Sequence, residues 1–316
     1  MLLPSEHEGI GAGPGSGGNA MKPPIRISLF GKFSARLGEE VLLDHIPHKA
    51  QELLAYLVLH RGKAHPRDTL AELLWGETDS PNSRKYLRQA LWQLHSGLLS
   101  LGRARAAQML HAQADWLELA LDDRVETDVV EFEEAFAAVK AVRGDALRPD
   151  EARALAGTAQ LYRGDLLEGW LAEWCVYDRE RFRRMYLTIL DKLIDHYEAR
   201  HEYDAAIAYA TVALRYDRAR ERSHRSMMRS LAKSGDRGEA LRQYERCVAS
   251  LREELAVEPE PETVVLEQMI RAGNVVGAVR ESVAAGNGHG DPGGNGHDLM
   301  LVPGTRRRTA GAARQP

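Results

Sequence analysis

The residues best equipped for chemistry lie in one stretch, PNSRKYLRQALWQLHSGLL, residues 81–99. It carries three cations (Arg84, Lys85, Arg88), three amides (Asn82, Gln89, Gln93) and one large aromatic, Trp92. Arg and Lys match phosphate oxygens and guanine edges, and Asn and Gln match adenine edges, so the set suits contact with a double-stranded polyanion whose bases are read from a groove. Leu87, Leu91, Leu94 and Leu98 recur at i, i+4, i+7 and i+11. This spacing predicts a helix that buries the leucines and turns the polar set outward. A solvated helix face is the competing reading of the same pattern. Trp92 has two readings as well: packing on a thymine methyl or sugar, or covering a protein contact.

Such a helix needs a frame. Ile25, Ile27 and Leu29 alternate with Arg26, Ser28 and Phe30 and predict a half-buried strand. Lys32 to Leu37 and Val41 to Leu43 follow around Gly38-Glu39-Glu40, giving a small antiparallel sheet. Helices are expected over about 48–60 and 66–74, then the helix just described. Met109-Leu110-His111 and Trp116 to Leu119 alternate around Gln113-Ala114-Asp115 and read as a hairpin. Sheet, three helices and hairpin is the order of a winged helix-turn-helix, in which the third helix enters the major groove. Winged helices also serve as protein-contact modules.

From Asp128 onward the pattern is helical, with segments over about 129–142, 150–162, 178–200 and 263–280. Between the last two, Ala206-Ile207 repeats at Ala240-Leu241, Tyr197 at Leu231, Ala213 at Cys247, and the turn near His201 near Gly235. Each pair lies 34 residues apart, the tetratricopeptide period. The fold expected is mainly α: a winged helix-turn-helix over 25–122 and an all-α tetratricopeptide-like domain over 123–280. Gly-rich disordered segments, 1–24 and 281–316, flank them.

Composition bounds the function. Residues 21–122 hold 13 Lys+Arg against 11 Asp+Glu, whereas 123–280 hold 25 against 30. That mild asymmetry permits a nucleic-acid site in the first part without proving one. Cys175 and Cys247 make neither a disulfide framework nor a zinc site. His45, His48, His60 and His65 show no metal-ligand spacing, Trp170 and Trp174 with Leu166, Leu167 and Leu171 read as core, and there is no nucleophile motif. A non-enzymatic, cytoplasmic protein without cofactor, metal or membrane span is expected.

Four segments resemble a known domain: Arg163-Gly164-Asp165-Leu166-Leu167, Tyr177-Asp178-Arg179-Glu180-Arg181, Glu239 to Glu245 (EALRQYE), and Leu255-Ala256-Val257-Glu258-Pro259 with Pro261-Glu262-Thr263. They are similar to the bacterial transcriptional activator domain that follows an OmpR-type winged helix in SARP-type (antibiotic regulatory protein) activators. Leu73-Leu74-Trp75-Gly76 and Asn82-Ser83-Arg84 carry the same likeness into the winged helix. The resemblance implies an activator that binds repeated promoter DNA elements as a dimer and recruits RNA polymerase through its sigma or alpha subunit. It makes the loop Glu77-Thr78-Asp79-Ser80 the candidate polymerase contact. Two departures weaken it: positions matching Trp92 to Ser96 are often basic in that family, and the hairpin tip lacks the arginine many wings carry. The alternative is a tetratricopeptide-type interaction or ligand-sensing adaptor whose winged helix no longer reads DNA.

Overall fold

The computed structural model describes residues 24–43, 45–76, 80–99, 106 and 108–275, with the side chains of Ser80 and Pro81 excepted. The expected tails therefore lie outside the described residues. Strand β1 (Ile25–Ser28) pairs antiparallel with β2 (Ser34–Leu37), which pairs with β3 (Glu40–Val41). Helices α1 (His48–Leu59), α2 (Arg67–Trp75) and α3 (Ser80–Leu98) follow, with β4 (His65–Pro66) before α2. The wing strands β5 (Leu110–Ala112) and β6 (Trp116–Leu119) pair antiparallel, and β4 joins the outer side of β6.

The N-terminal sheet is not purely antiparallel as the sequence suggested. Strand β7 (Val125–Thr127) pairs parallel with β1, giving the order β3-β2-β1-β7. Three residues without a clear alternation carry too little pattern to announce a strand. Helix α4 (Asp128–Val139) starts directly from β7, capped by Thr127, whose hydroxyl accepts from the Val130 amide. The Asp128 carboxylate in turn accepts the backbone N–H groups of Leu29 and Phe30, at 2.9 and 3.0 Å. One short strand and one carboxylate thus tie the end of β1 to the helical region.

Phe30 completes that junction and corrects the strand reading. The alternation places it among polar residues, yet it is 2% exposed. Its ring sits 5.1 Å from Phe132, 4.8 Å from Tyr162 and 5.2 Å from Phe182. The strand ends at Ser28, so period-two logic no longer governs Phe30. Residues 163–168 close over the same spot: Gly31 N–H donates to Asp165, and Leu167 N–H to Leu29. A Cβ on Gly164 would lie 3.3 Å from the Gly31 Cα, tighter than ordinary contact, so glycine lets the two backbones meet without a shift.

Helices α5 (Pro149–Ala159) and α6 (Val176–Ala199) extend this core. Arg179, at the start of α6, donates to the carbonyls of Leu166 and Trp170 at 2.9 and 3.0 Å and so fixes the loop beneath it. Leu171 departs from the expected core: Leu166, Leu167 and Trp170 are buried, but Leu171 is 97% exposed.

The repeat follows as α7 (Tyr203–Tyr216), α8 (Glu221–Lys233), α9 (Arg237–Leu255) and α10 (Pro261–Ala272). His201 and Gly235 both take positive φ, 60° and 97°. The following N–H groups, of Glu202 and Asp236, return to Tyr197 and Leu231 at 2.9 Å each. The period of 34 therefore reflects one turn made twice, with Ala206, Ala210 and Ala240 buried where helices cross closely. The last helix ends at Ala272, short of the expected residue 280.

Two predictions concern the junction. Phe30→Ala should cost about 3–5 kcal/mol and lower a single melting transition monitored through the winged helix and the repeat. Two separate transitions would show that Phe30 does not couple them. Burial outweighs the backbone donors at Asp128 and raises its pKa to about 6. A carboxyl whose folded pKa lies above the usual carboxylate range binds its proton more readily when folded, so its contribution favours folding at low pH and is lost as pH rises through roughly 4 to 6. The stability difference between wild type and Asp128→Asn should fall over that window in chemical-denaturation curves; a flat difference would refute the assignment.

Candidate nucleic-acid interface

The buried stripe of α3 consists of Leu87, Ala90, Leu91, Leu94 and Leu98, which share one core with Leu53, Leu54 and Leu57 of α1 and with Leu70, Ala71 and Leu74 of α2. This packing fixes the rotation of α3. Lys85, Gln89, Trp92 and Ser96 form the exposed row opposite, at i, i+4, i+7 and i+11. Trp92 is 69% exposed, a large apolar surface held in water at the centre of the row. Asn82 and Arg88 are exposed on the flanks, and Gln93 is half-buried. The sequence-derived set therefore lies on one helix, with Gln93 least available. The helix begins at Ser80, with Pro81 in its first turn where a missing N–H costs nothing.

Arg84 points away from the row. Its Nη2 donates to Asp68 on α2 at 2.7 Å, and both side chains are more than half exposed. Exposed pairs of this kind contribute about 0–1 kcal/mol, so a phosphate can compete for the guanidinium. The pair stands at the rim of a cleft of about 740 Å³ between the start of α2, the first half of α3 and the wing tip. Arg67, Arg84 and Arg88 face Asp68 and Asp115 across it, with Trp116 at the edge. Arg67 Nε is buried and has no hydrogen-bond partner, while the Arg67 backbone N–H donates to Asp115 at 2.9 Å and anchors the wing tip.

Arg67 and Trp116 are the residues that sequence reasoning missed. Their position depends on β4 pairing with β6, Pro66 opposite Trp116. A strand of two residues leaves no periodic signal; an arginine directly after a proline at a helix start was the only hint. Glu77, Thr78 and Asp79 lie outside the described residues, as does the side chain of Ser80. Arg103 and Arg105 lie outside them too.

The histidines near the winged helix serve packing. His48 meets the Trp170 ring at 4.6 Å, and His60 and His65 both contact Tyr56. Burial lowers the His60 pKa, partly offset by Asp178. Among the described residues no group of three or more His, Cys, Asp or Glu is placed to hold a metal ion, and no helix is long and apolar enough to cross a membrane.

Comparison with known proteins places this architecture. The family model described as the bacterial transcriptional activator domain matches residues 127–271. The regulatory protein AfsR of Streptomyces griseus is 27% identical over 256 residues, covering 78% of this chain and 24% of AfsR, so the chain spans about a quarter of that relative's length. The solved structure of Mycobacterium tuberculosis EmbR, determined with a low-affinity phosphopeptide, superposes with a TM-score of 0.67 at 20% identity over 79% of this chain and 65% of EmbR, a likeness of fold. Residues 127–271 thus match the bacterial transcriptional activator domain, and over most of its length the chain is similar to a bacterial regulatory protein.

Proposed function

We propose that this regulator binds promoter DNA through α3 and the cleft beside the wing, and activates transcription by contacting RNA polymerase. The observation that carries the reading is the exposed row Lys85–Gln89–Trp92 on the second helix of a helix-turn-helix, flanked by Arg88 and a cleft lined by three arginines. In this reading Lys85, Arg84 and Arg67 hold phosphates, Arg88 and Gln89 meet base edges with Asn82 and Gln93 at the margins, and Trp92 packs on a sugar or thymine methyl. The chain acts on repeated elements as a dimer, and the acidic segment 77–80 meets the sigma or alpha subunit of the polymerase.

A second reading has a specific observation in its favour. Trp92 is a large aromatic ring left 69% exposed, and a winged helix that contacts protein would use such a ring as an anchor. Selection of duplexes from a randomised pool separates the two. An enriched, salt-sensitive motif supports DNA reading; no enrichment at low salt supports the protein module.

On the enriched duplex, Arg88→Ala should weaken binding by about 1–3 kcal/mol and relax the preference at one base pair; unchanged affinity removes Arg88 from the interface. Asp68→Asn should tighten binding, because Arg84 then leaves no carboxylate to reach its phosphate. Affinity unchanged by Asp68→Asn and by Arg84→Ala would mean that Arg84 stays outside the contact.

A further inference from the structure

Helices α7 and α9 both pack on α8 and leave an open groove of about 540 Å³ between them. Ile207 and Leu214 of α7 and Met227 and Leu231 of α8 supply apolar walls, and Ala249 of α9 stands at the rim. This volume and this mixture of apolar wall with few polar groups are those of small-molecule sites.

The polar groups narrow the occupant. His224 and Gln243 are each 3% exposed. His224 Nε2 donates to the Arg218 carbonyl at 2.9 Å, and its Nδ1 accepts from Gln243 Nε2 at 2.7 Å. This arrangement holds the imidazole in one neutral tautomer, and burial lowers its pKa accordingly. Arg246 is paired with Glu239, and its Nε donates to Gln243 at 2.8 Å. Arg218 is paired with Glu253 at 3.4 Å. Every charge at the groove already faces its opposite, so the site offers no net charge to a ligand. Ser250 lines the groove, and no described protein group is hydrogen-bonded to its hydroxyl. That hydroxyl is open to the groove rather than sealed from it, so its O–H is available to an incoming acceptor.

We propose that the α7–α9 groove is a binding site for a small, uncharged, apolar molecule carrying one hydrogen-bond-accepting oxygen, which Ser250 receives. The site belongs to the helical repeat and does not depend on how α3 is used.

The test is a fluorescence titration of the full chain with Nile red, an uncharged flat dye bearing a carbonyl oxygen. The anionic dye 1-anilinonaphthalene-8-sulfonate serves as the comparison. One saturable Nile red site is expected. Ala249→Trp, which fills the groove from its exposed rim, should weaken it by at least about tenfold, and Ser250→Ala by about fivefold. Both variants should retain the wild-type circular dichroism. Absence of saturable binding, or Nile red affinity unchanged by Ala249→Trp, would overturn the site. Equal affinity for the anionic dye would overturn the uncharged ligand class. If the tryptophan variant does not fold, Ser250→Ala decides: unchanged affinity there overturns the proposal.

Discussion

Phe30 leaves the end of the first strand and enters an aromatic cluster built by helices from far along the chain. Phe132, Tyr162 and Phe182 surround it edge-on or tilted. This arrangement gains quadrupole attraction in addition to the area removed from water. The packing forces the rest of the junction. The backbone at Leu29 and Phe30 must turn inward, which would orphan its N–H groups in a buried site. Asp128 accepts them, and it can do so because β7 delivers the start of α4 to that point. The Arg163-Gly164-Asp165-Leu166-Leu167 segment then closes over the strand end, held from below by Arg179. Two of the motifs that carry the family likeness are therefore scaffold: they join the winged helix to the helices that precede the repeat.

This division explains what the sequence disclosed. The face of α3 was legible because four leucines at helical spacing settle which side is buried and leave Lys85, Gln89 and Trp92 outside. The repeat was legible because His201 and Gly235 make the same left-handed turn, and a backbone requirement of that kind leaves its mark on residue type and spacing. Strands β4 and β7 were not, since two or three residues hold no period. Phe30 was misplaced because it sits one step beyond the strand whose alternation was being read. Leu171 was misplaced because composition reports how apolar a loop is and not which way each side chain turns. Arg67 needed the pairing of Pro66 with Trp116, a contact between segments distant in sequence.

The electrostatics of the first part are similarly modest in composition and specific in space. A surplus of two positive charges over 21–122 is too small to announce a polyanion partner. Folding gathers Arg67, Arg84 and Arg88 around one cleft and sets Asp68 and Asp115 within it. Asp68 holds Arg84, so an anion that engages Arg84 must displace a partner rather than meet a bare charge.

The parallel pairing of β7 with β1 has a mechanical consequence. In many multidomain regulators a flexible tether lets the reading head rotate against the body. Here the chain passes from sheet to helix through a hydrogen-bonded strand, and the hydrophobic core runs unbroken across the passage. Such a molecule has no slack with which to absorb a change of angular phase. Under the proposed binding of paired copies to two elements, inserting half a helical turn of DNA between them would have to be met by bending the DNA or breaking the pair, whereas a full turn would leave the assembly unstrained.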